Sequence, residues 1–333
     1  MDYTRWFSDP KMKQEFLDRF PELASTYGGG GLEGLDGMPA TDDAVNAVES
    51  MTEGTWQSDD PGLEAIIERF TRPVQLVQDN TFAPPADGLP NSEELQKRLA
   101  SAKHALEVAI PSIGRINLEN HRKAFAGTGW MVAPDVVATN RHVAEEFARK
   151  TDSGFEFRPN FLGPPVKAKM DWRREHQRPA ESVFKVRKVL WIEPDPSFDL
   201  ALLEIVGTGE ADEPQPSALP LATETELNAS GGNPWVAVIG YPARDSRNRE
   251  DDQQRIFDGI YNVKRLAPGQ ITAIRPDGLV THDATTLGGN SGSALVDLHS
   301  GKTLALHFGG NEGRANFAVQ APRLAAILRE HVN

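Results

Sequence analysis

The sequence predicts a mainly β protein: two small barrels ending in a helix, preceded by a partly helical N-terminal extension. Three observations lead there. The 29 Gly and 24 Pro among 333 residues imply many turns and few long helices. From about Pro111 onward, short apolar runs alternate with turn residues, the pattern of antiparallel strands. Before that point the chain has helical apolar spacing interrupted by Gly-rich, Pro-rich and acidic stretches. The length allows one large domain with an appendage or two modest domains, and there is no internal repeat.

In chain order, residues 1–27 predict short helices around Phe7, Phe16, Leu17, Phe20 and Leu23, ended by Gly28 to Gly31, a flexible joint. Segment 32–60 is acidic and thin in aromatic and β-branched residues, so no firm element is expected there. Pro61 to Phe70 reads as a helix with Leu63, Ile66, Ile67 and Phe70 on one face, Val74 to Val77 as a strand, and Ala83 to Pro90 as a loop. Ser92 to Val108 has helical spacing with Glu93 and Glu94 in its first turn. The strand candidates are GWMVAP, DVVATN, VFKVRKVLWI, LALLEIV, WVAVIGYP, GQITAI, GLVTHD, SALVDL, KTLALHF and NFAVQ. Residues 322–332 close the chain as an amphipathic helix through Leu324, Ile327 and Leu328. The expected division is an extension over 1–104 and a domain over 105–333, its barrels at about 105–215 and 232–320.

Composition narrows the function. No run approaches the roughly 18 apolar residues of a membrane span, and the N-terminus lacks the basic and apolar regions of a secretory signal. The absence of cysteine fits a reducing compartment, or a bacterial lineage that dispensed with disulfides, and it excludes a Cys nucleophile and thiolate metal sites. A cytoplasmic protein is expected. Residues 1–100 hold 19 acidic side chains against 8 Lys plus Arg, so −11 of the formal −13 lies there. A broad nucleic-acid-binding surface is not expected, nor is membrane association.

The chemistry is carried by three local patterns in the order His, Asp, Ser: TNRHVA around His142, SFDLALL around Asp199 and GGNSGS around Ser291. A serine hydroxyl is a weak nucleophile near neutral pH. It needs an imidazole as general base, which in turn needs a carboxylate to fix its tautomer and stabilise its charged form. The Gly-Gly-Asn-Ser-Gly turn would let the amides of Gly289 and Ser291 point together at a developing oxyanion. Taken singly, each pattern has a plainer reading as a surface histidine, a strand-start acid or an ordinary turn; together they indicate a triad. Asp195 competes for the acid role, but Asp199 begins an apolar strand whereas Asp195 lies between two prolines.

GTGWMVA with ATNRHVA, FDLALL and GGNSGSALV resembles the corresponding blocks of bacterial trypsin-like serine peptidases of the chymotrypsin fold, particularly the glutamyl-endopeptidase, or V8-like, group. The resemblance covers roughly residues 105–333 and extends to LALHFGG over 304–310; IPSIGRINL, preceded by TRPVQLVQDNTF, also resembles peptidases of bacterial conflict systems. It implies a chymotrypsin-like double β-barrel and a serine endopeptidase working through an acyl-enzyme, with no metal or cofactor. Thr285 would line the base of the primary pocket, where tryptic members carry Asp, so cleavage after Lys or Arg is not expected. Thr286 and His307 would bind an acidic P1 side chain, and Gly309 would lie along the substrate. His282 could support the pocket or simply pack.

Alternatives stay open at this stage: an active protease with an apolar P1 preference, or a catalytically silent binding or scaffold protein of the same fold. The partner implied is a protein or peptide substrate. No tryptic activation sequence precedes the protease region, and residues 1–104 could inhibit, position, dock a partner protein or merely pack. A role in bacterial antiviral defence, or as a maturation protease, is suggested by the resemblance alone.

Overall fold

The computed structural model describes residues 3–7, 9–27, 40–57, 61–83, 92–160, 163–231, 233–246, 250–311 and 315–332. The Gly28–Gly31 break and nearly all of the 83–90 loop lie outside them.

The N-terminal region folds as α1 (Pro10–Tyr27), α2 (Thr41–Glu53) and α3 (Pro61–Thr71) around a core of its own. Phe7, Phe16, Phe20, Val48, Ile66, Ile67 and Phe70 fill it, with Phe16 meeting the edge of Phe70 at 5.3 Å. Two expectations need correction. Residues 10–27 form one helix rather than short ones, because Phe16, Phe20 and Leu23 make one buried stripe that carries the chain past Pro21. Segment 41–53 is helical rather than featureless: Ala44, Ala47, Val48 and Met51 recur at helical spacing and are buried. The Asp43 carboxylate accepts the Ala40 N–H at 2.9 Å and fixes the helix start.

Strands β1 (Gln75–Gln78) and β2 (Thr81–Ala83) form a hairpin whose two-residue turn, Asp79-Asn80, takes positive φ at both positions. Helix α4 (Glu93–Ala109) crosses residue 104 without interruption, burying Leu95, Leu99, Ala102 and Leu106.

The first barrel comprises β3 (Ile113–Glu119), β4 (Phe125–Ala133), β5 (Val136–Thr139), β8 (Lys167–Asp171), β9 (Val183–Ile192) and β10 (Ala201–Ile205), closed in the order β3-β4-β5-β10-β9-β8. A short helix, α5 (Arg141–Phe147), follows β5, and a side hairpin pairs β6 (Ala148–Thr151) with β7 (Gly154–Phe157). After α6 (Glu224–Ala229) the second barrel uses β11 (Trp235–Gly240), β12 (Arg265–Ile274), β13 (Leu279–His282), β14 (Ala294–Asp297), β15 (Thr303–Asn311) and β16 (Ala315–Gln320); α7 (Glu250–Phe257) lies between β11 and β12. This ring closes through β11–β12 pairing, and β1 adds to the outer edge of β12. The extension is therefore continuous with the second barrel's sheet. The C-terminal helix α8 (Ala321–His331) ends the described chain.

The continuous apolar runs have a structural reason. In β10, Ala201, Leu203 and Ile205 face the first barrel's interior, while Leu202 and the preceding Leu200 face a second core between the barrels. In β11, Val236 and Val238 fill the second barrel, and Ala237 and Ile239 join that same inter-barrel core. Strands covered on both faces need apolar side chains at successive positions. Helices α4 and α8 complete the shared core through Leu99, Leu106, Leu324 and Ile327. No helix among the described residues is long and apolar enough to cross a membrane.

Candidate active site

Pairing between β5 and β10 sets the first half of the site. Ala201 lies opposite Thr139, so the residue two before Ala201 and the residue three after Thr139 emerge at the same barrel edge. These are Asp199 and His142. Asn140 caps the start of α5 in an extended conformation, and its Nδ2 donates to the Asp199 carbonyl at 2.8 Å. The Asp199 carboxylate then grips the histidine twice: Oδ1 accepts the His142 backbone N–H at 3.0 Å, and Oδ2 meets Nδ1 in a short contact. With Nδ1–H donated to Asp199, Nε2 is left as the basic nitrogen. Asp195 is occupied elsewhere; it accepts the Ser197 N–H at 2.8 Å, which holds its carboxyl below the usual range.

The second half is the turn from Gly288 to Ser293, between β13 and β14. Gly289 and Gly292 have φ of +87° and +91°. A Cβ on Gly289 would lie 2.4 Å from the Tyr241 carbonyl, and one on Gly292 would lie 1.9 Å from the Thr128 carbonyl. Both conformation and space therefore require glycine. The Asn290 N–H bonds to the Leu287 carbonyl at 3.1 Å, whereas no described residue accepts the Gly289 or Ser291 N–H.

Thr128, on β4 of the first barrel, joins the two halves. Its N–H donates to the Ser291 carbonyl at 2.8 Å, its hydroxyl donates to the Gly289 carbonyl at 2.9 Å, and its own carbonyl accepts the Thr139 hydroxyl at 2.7 Å. Thr139 is three residues from His142. The chain Ser291–Thr128–Thr139–His142 thus crosses the junction in two hydrogen bonds and one short stretch of backbone. Sequence reasoning missed Thr128, although it sits in the GTGW block.

On the other flank, Gly292 N–H bonds to the His307 carbonyl at 2.8 Å, and His307 N–H bonds to the Ser293 carbonyl at 2.9 Å. His307 Nδ1 faces His282 Nε2 at 3.0 Å, both rings buried. Burial pushes His282 down to about 3, and burial, with His282 beside it, pushes His307 well below the ordinary imidazole range. Both rings are neutral near pH 7. The Thr286 hydroxyl donates to Asn316 Oδ1 at 3.0 Å, while Asn316 Nδ2 donates to the Ala284 carbonyl at 2.8 Å. Asn316 is a second residue that sequence reasoning missed. The Thr285 hydroxyl is turned the other way, toward Glu68 Oε1 at 2.7 Å and the Arg72 carbonyl at 3.1 Å. A Cβ added to Gly309 would meet open space.

Two closed six-stranded antiparallel barrels, a glycine-framed serine turn tied across their junction by Thr128, and a carboxylate-bound histidine at the edge of the first barrel together make a chymotrypsin-like fold. The model of the trypsin-like peptidase domain matches residues 127–306, and the chain belongs to that family. A Lysobacter enzymogenes protein named as a probable serine protease is 31% identical over 307 residues, covering 83% of this chain and 77% of the relative. Among solved structures, the HtrA-type protease AlgW with a decapeptide aligns at a TM-score of 0.47 and 15% identity, covering 69% of this chain and 67% of that one. The inactive form of the Rv3671c protease of M. tuberculosis, as a Ser-to-Ala mutant, aligns at 0.43 and 21%, covering 70% and 92%. The protein is a bacterial-type trypsin-like serine endopeptidase, a hydrolase of peptide bonds.

Proposed function

We propose that Ser291, His142 and Asp199 are the catalytic triad, with the Gly289 and Ser291 amides as oxyanion donors. The two-point contact of Asp199 with His142 is the observation that carries this reading. Ser291 Oγ attacks the scissile carbonyl while its proton passes to His142 Nε2; the carbonyl oxygen becomes an oxyanion facing the two amides. His142 then gives that proton to the leaving amine, the C–N bond breaks, and an acyl-enzyme on Ser291 remains. Water repeats the sequence, its proton moving to His142 and then back to Ser291 as the acid product leaves. Asp199 holds the imidazole tautomer and stabilises the imidazolium.

The P1 preference proposed is for Glu or Asp, as in the V8-like group. One proton is shared between His282 Nε2 and His307 Nδ1, and His282 Nδ1 has no partner among the described residues. A buried N–H without an acceptor is the rarer and costlier orphan, so the favoured tautomer leaves His282 Nδ1 bare and places the shared proton on His282 Nε2. His307 then carries its own proton on Nε2, a donor suited to a carboxylate. Thr286 is the partner proposed for the same side chain, its hydroxyl proton turning from Asn316 Oδ1 to the carboxylate when substrate binds, and Gly309 gives a substrate backbone room to lie along β15.

The cytoplasmic setting rests on the cysteine-free composition. A defence or maturation role rests on the resemblance of IPSIGRINL and LALHFGG to conflict-system peptidases, and docking of a partner on the N-terminal region rests on its acidic charge and its Gly28–Gly31 break. Digesting a peptide library with the wild type and Ser291→Ala tests the reading: cleavage after Glu and Asp, absent in the variant, is expected. Cleavage confined to apolar P1 residues would remove the His307 assignment, and cleavage by Ser291→Ala would remove the triad.

A further inference from the structure

The segment 283–287 leads from β13 into the turn bearing Ser291, and it has no regular secondary structure of its own. Its conformation is set by what its side chains touch, and they alternate between two sides. The Thr286 hydroxyl and the Ala284 backbone carbonyl reach Asn316, on the histidine side of the site, while the Ala284 methyl packs in the second barrel's core. Asp283 and Thr285 reach the N-terminal region. Asp283 Oδ1 accepts Arg72 Nε at 3.1 Å and the Gln270 N–H at 2.6 Å; Oδ2 accepts Arg72 Nη2 at 2.7 Å and Trp6 Nε1 at 3.1 Å. Each side chain of this Arg72–Asp283 pair is 1% exposed. The Arg72 guanidinium lies over Trp6 at 5.5 Å and Trp235 at 4.8 Å, and its Nη1 donates to the Thr71 carbonyl at 2.9 Å. One turn earlier on α3, Glu68 takes the Thr285 hydroxyl.

Trp6, Glu68 and Arg72 all lie outside residues 127–306, the part matched by the family domain. Without them, Asp283 would be a buried carboxylate left with the Gln270 amide alone, a state that burial penalises heavily. The folded pocket wall therefore depends on a clamp the matched domain does not itself contain.

We infer that the N-terminal helical region is an intramolecular positioning element, in which Arg72 and Glu68 fix the 283–287 wall and so set P1 discrimination and acylation at Ser291. The inference rests on the assignments of Ser291 as nucleophile and of Thr286 at the P1 side chain proposed above. Glu68 and Arg72 are positioning residues: they act through Asp283 and Thr285, without touching substrate.

The test uses the full chain with Glu68→Ala, Glu68→Gln and Thr285→Val, each read by kinetics per titrated active site and by amide hydrogen exchange. Glu68→Ala is expected to lower kcat/KM about tenfold for the preferred P1 residue, mostly through KM, and to flatten the P1 profile. Glu68→Gln keeps the acceptor oxygen and is expected to recover activity to within about threefold of wild type. Exchange over 283–288 should accelerate in Glu68→Ala and Thr285→Val, and remain at the wild-type rate in β4 and β5. Wild-type kcat/KM and P1 profile in Glu68→Ala, or unchanged exchange over 283–288, overturns the inference. If no Ser291-dependent active site can be titrated, the triad assignment fails separately, and exchange over 283–288 still decides whether the clamp holds the wall.

Discussion

Thr128 and Ser291 are joined across the barrel junction by a 2.8 Å bond from the Thr128 N–H to the Ser291 carbonyl, and the Thr128 hydroxyl is fully occupied as well. It donates to the Gly289 carbonyl at 2.9 Å and accepts the Tyr241 N–H at 3.2 Å. Replacing it with valine keeps the shape but strands a buried carbonyl and a buried amide. Thr128→Val is expected to lose about 1–3 kcal/mol of stability and at least tenfold in kcat, read by thermal unfolding and by single-turnover acylation. Thr128→Ser should retain most of both.

Gly292 permits no side chain, since a Cβ would lie 1.9 Å from the Thr128 carbonyl at a φ of +91°. Gly292→Ala must displace either the turn or β4. We expect a loss of several kcal/mol in stability, on the order of the largest single-residue effects, together with loss of activity. Chemical denaturation and peptide hydrolysis would measure the two.

Asp199→Asn keeps a group of the same shape facing His142, but its amide can donate to Nδ1 and so favours the wrong tautomer. The expected outcome is a fall of about 10⁴ in kcat near neutral pH with little change in melting temperature. A fall of less than tenfold would transfer the acid role away from Asp199.

The buried histidine pair makes stability pH-dependent in a defined direction. In the unfolded chain each ring takes a proton near pH 6.5; folded, His282 does so only at about 3 and His307 well below 6.5. The unfolded state thus binds more protons as pH falls, so this contribution is fully present above pH 6.5 and is lost progressively down toward pH 3. The slope approaches about 1.4 kcal/mol per pH unit for each ring. Urea unfolding between pH 7 and pH 4 should show it, and His282→Gln with His307→Gln should flatten it.

The fold is legible in the sequence where both faces of a strand are covered. LALLEIV and WVAVIGYP read as strands because Leu200 and Leu202 serve one core while Ala201 and Leu203 serve another. Strand β8, KAKMD, escapes that pattern because only Ala168, Met170 and Asp171 are buried and two of its five residues are lysines. Helix α2 escapes for a related reason, its apolar face being made mostly of small residues, Ala44, Ala47 and Val48. Within the site, the His142 and Asp199 blocks each set a polar residue beside an apolar strand, and the Ser291 block frames its serine with glycines. The Thr285–Glu68 contact has none, since its partners are 217 residues apart and either could be an ordinary surface residue. Asn316 likewise reveals itself only when β16 lies beside β13.

The central claim, that Ser291 is a nucleophile activated by His142, is tested most directly by mass spectrometry of the protein after reaction with a fluorophosphonate. A single adduct on the peptide containing Ser291, abolished by Ser291→Ala and strongly slowed by His142→Ala, is the predicted result. An unlabelled wild type, or an adduct that persists in Ser291→Ala, would contradict it.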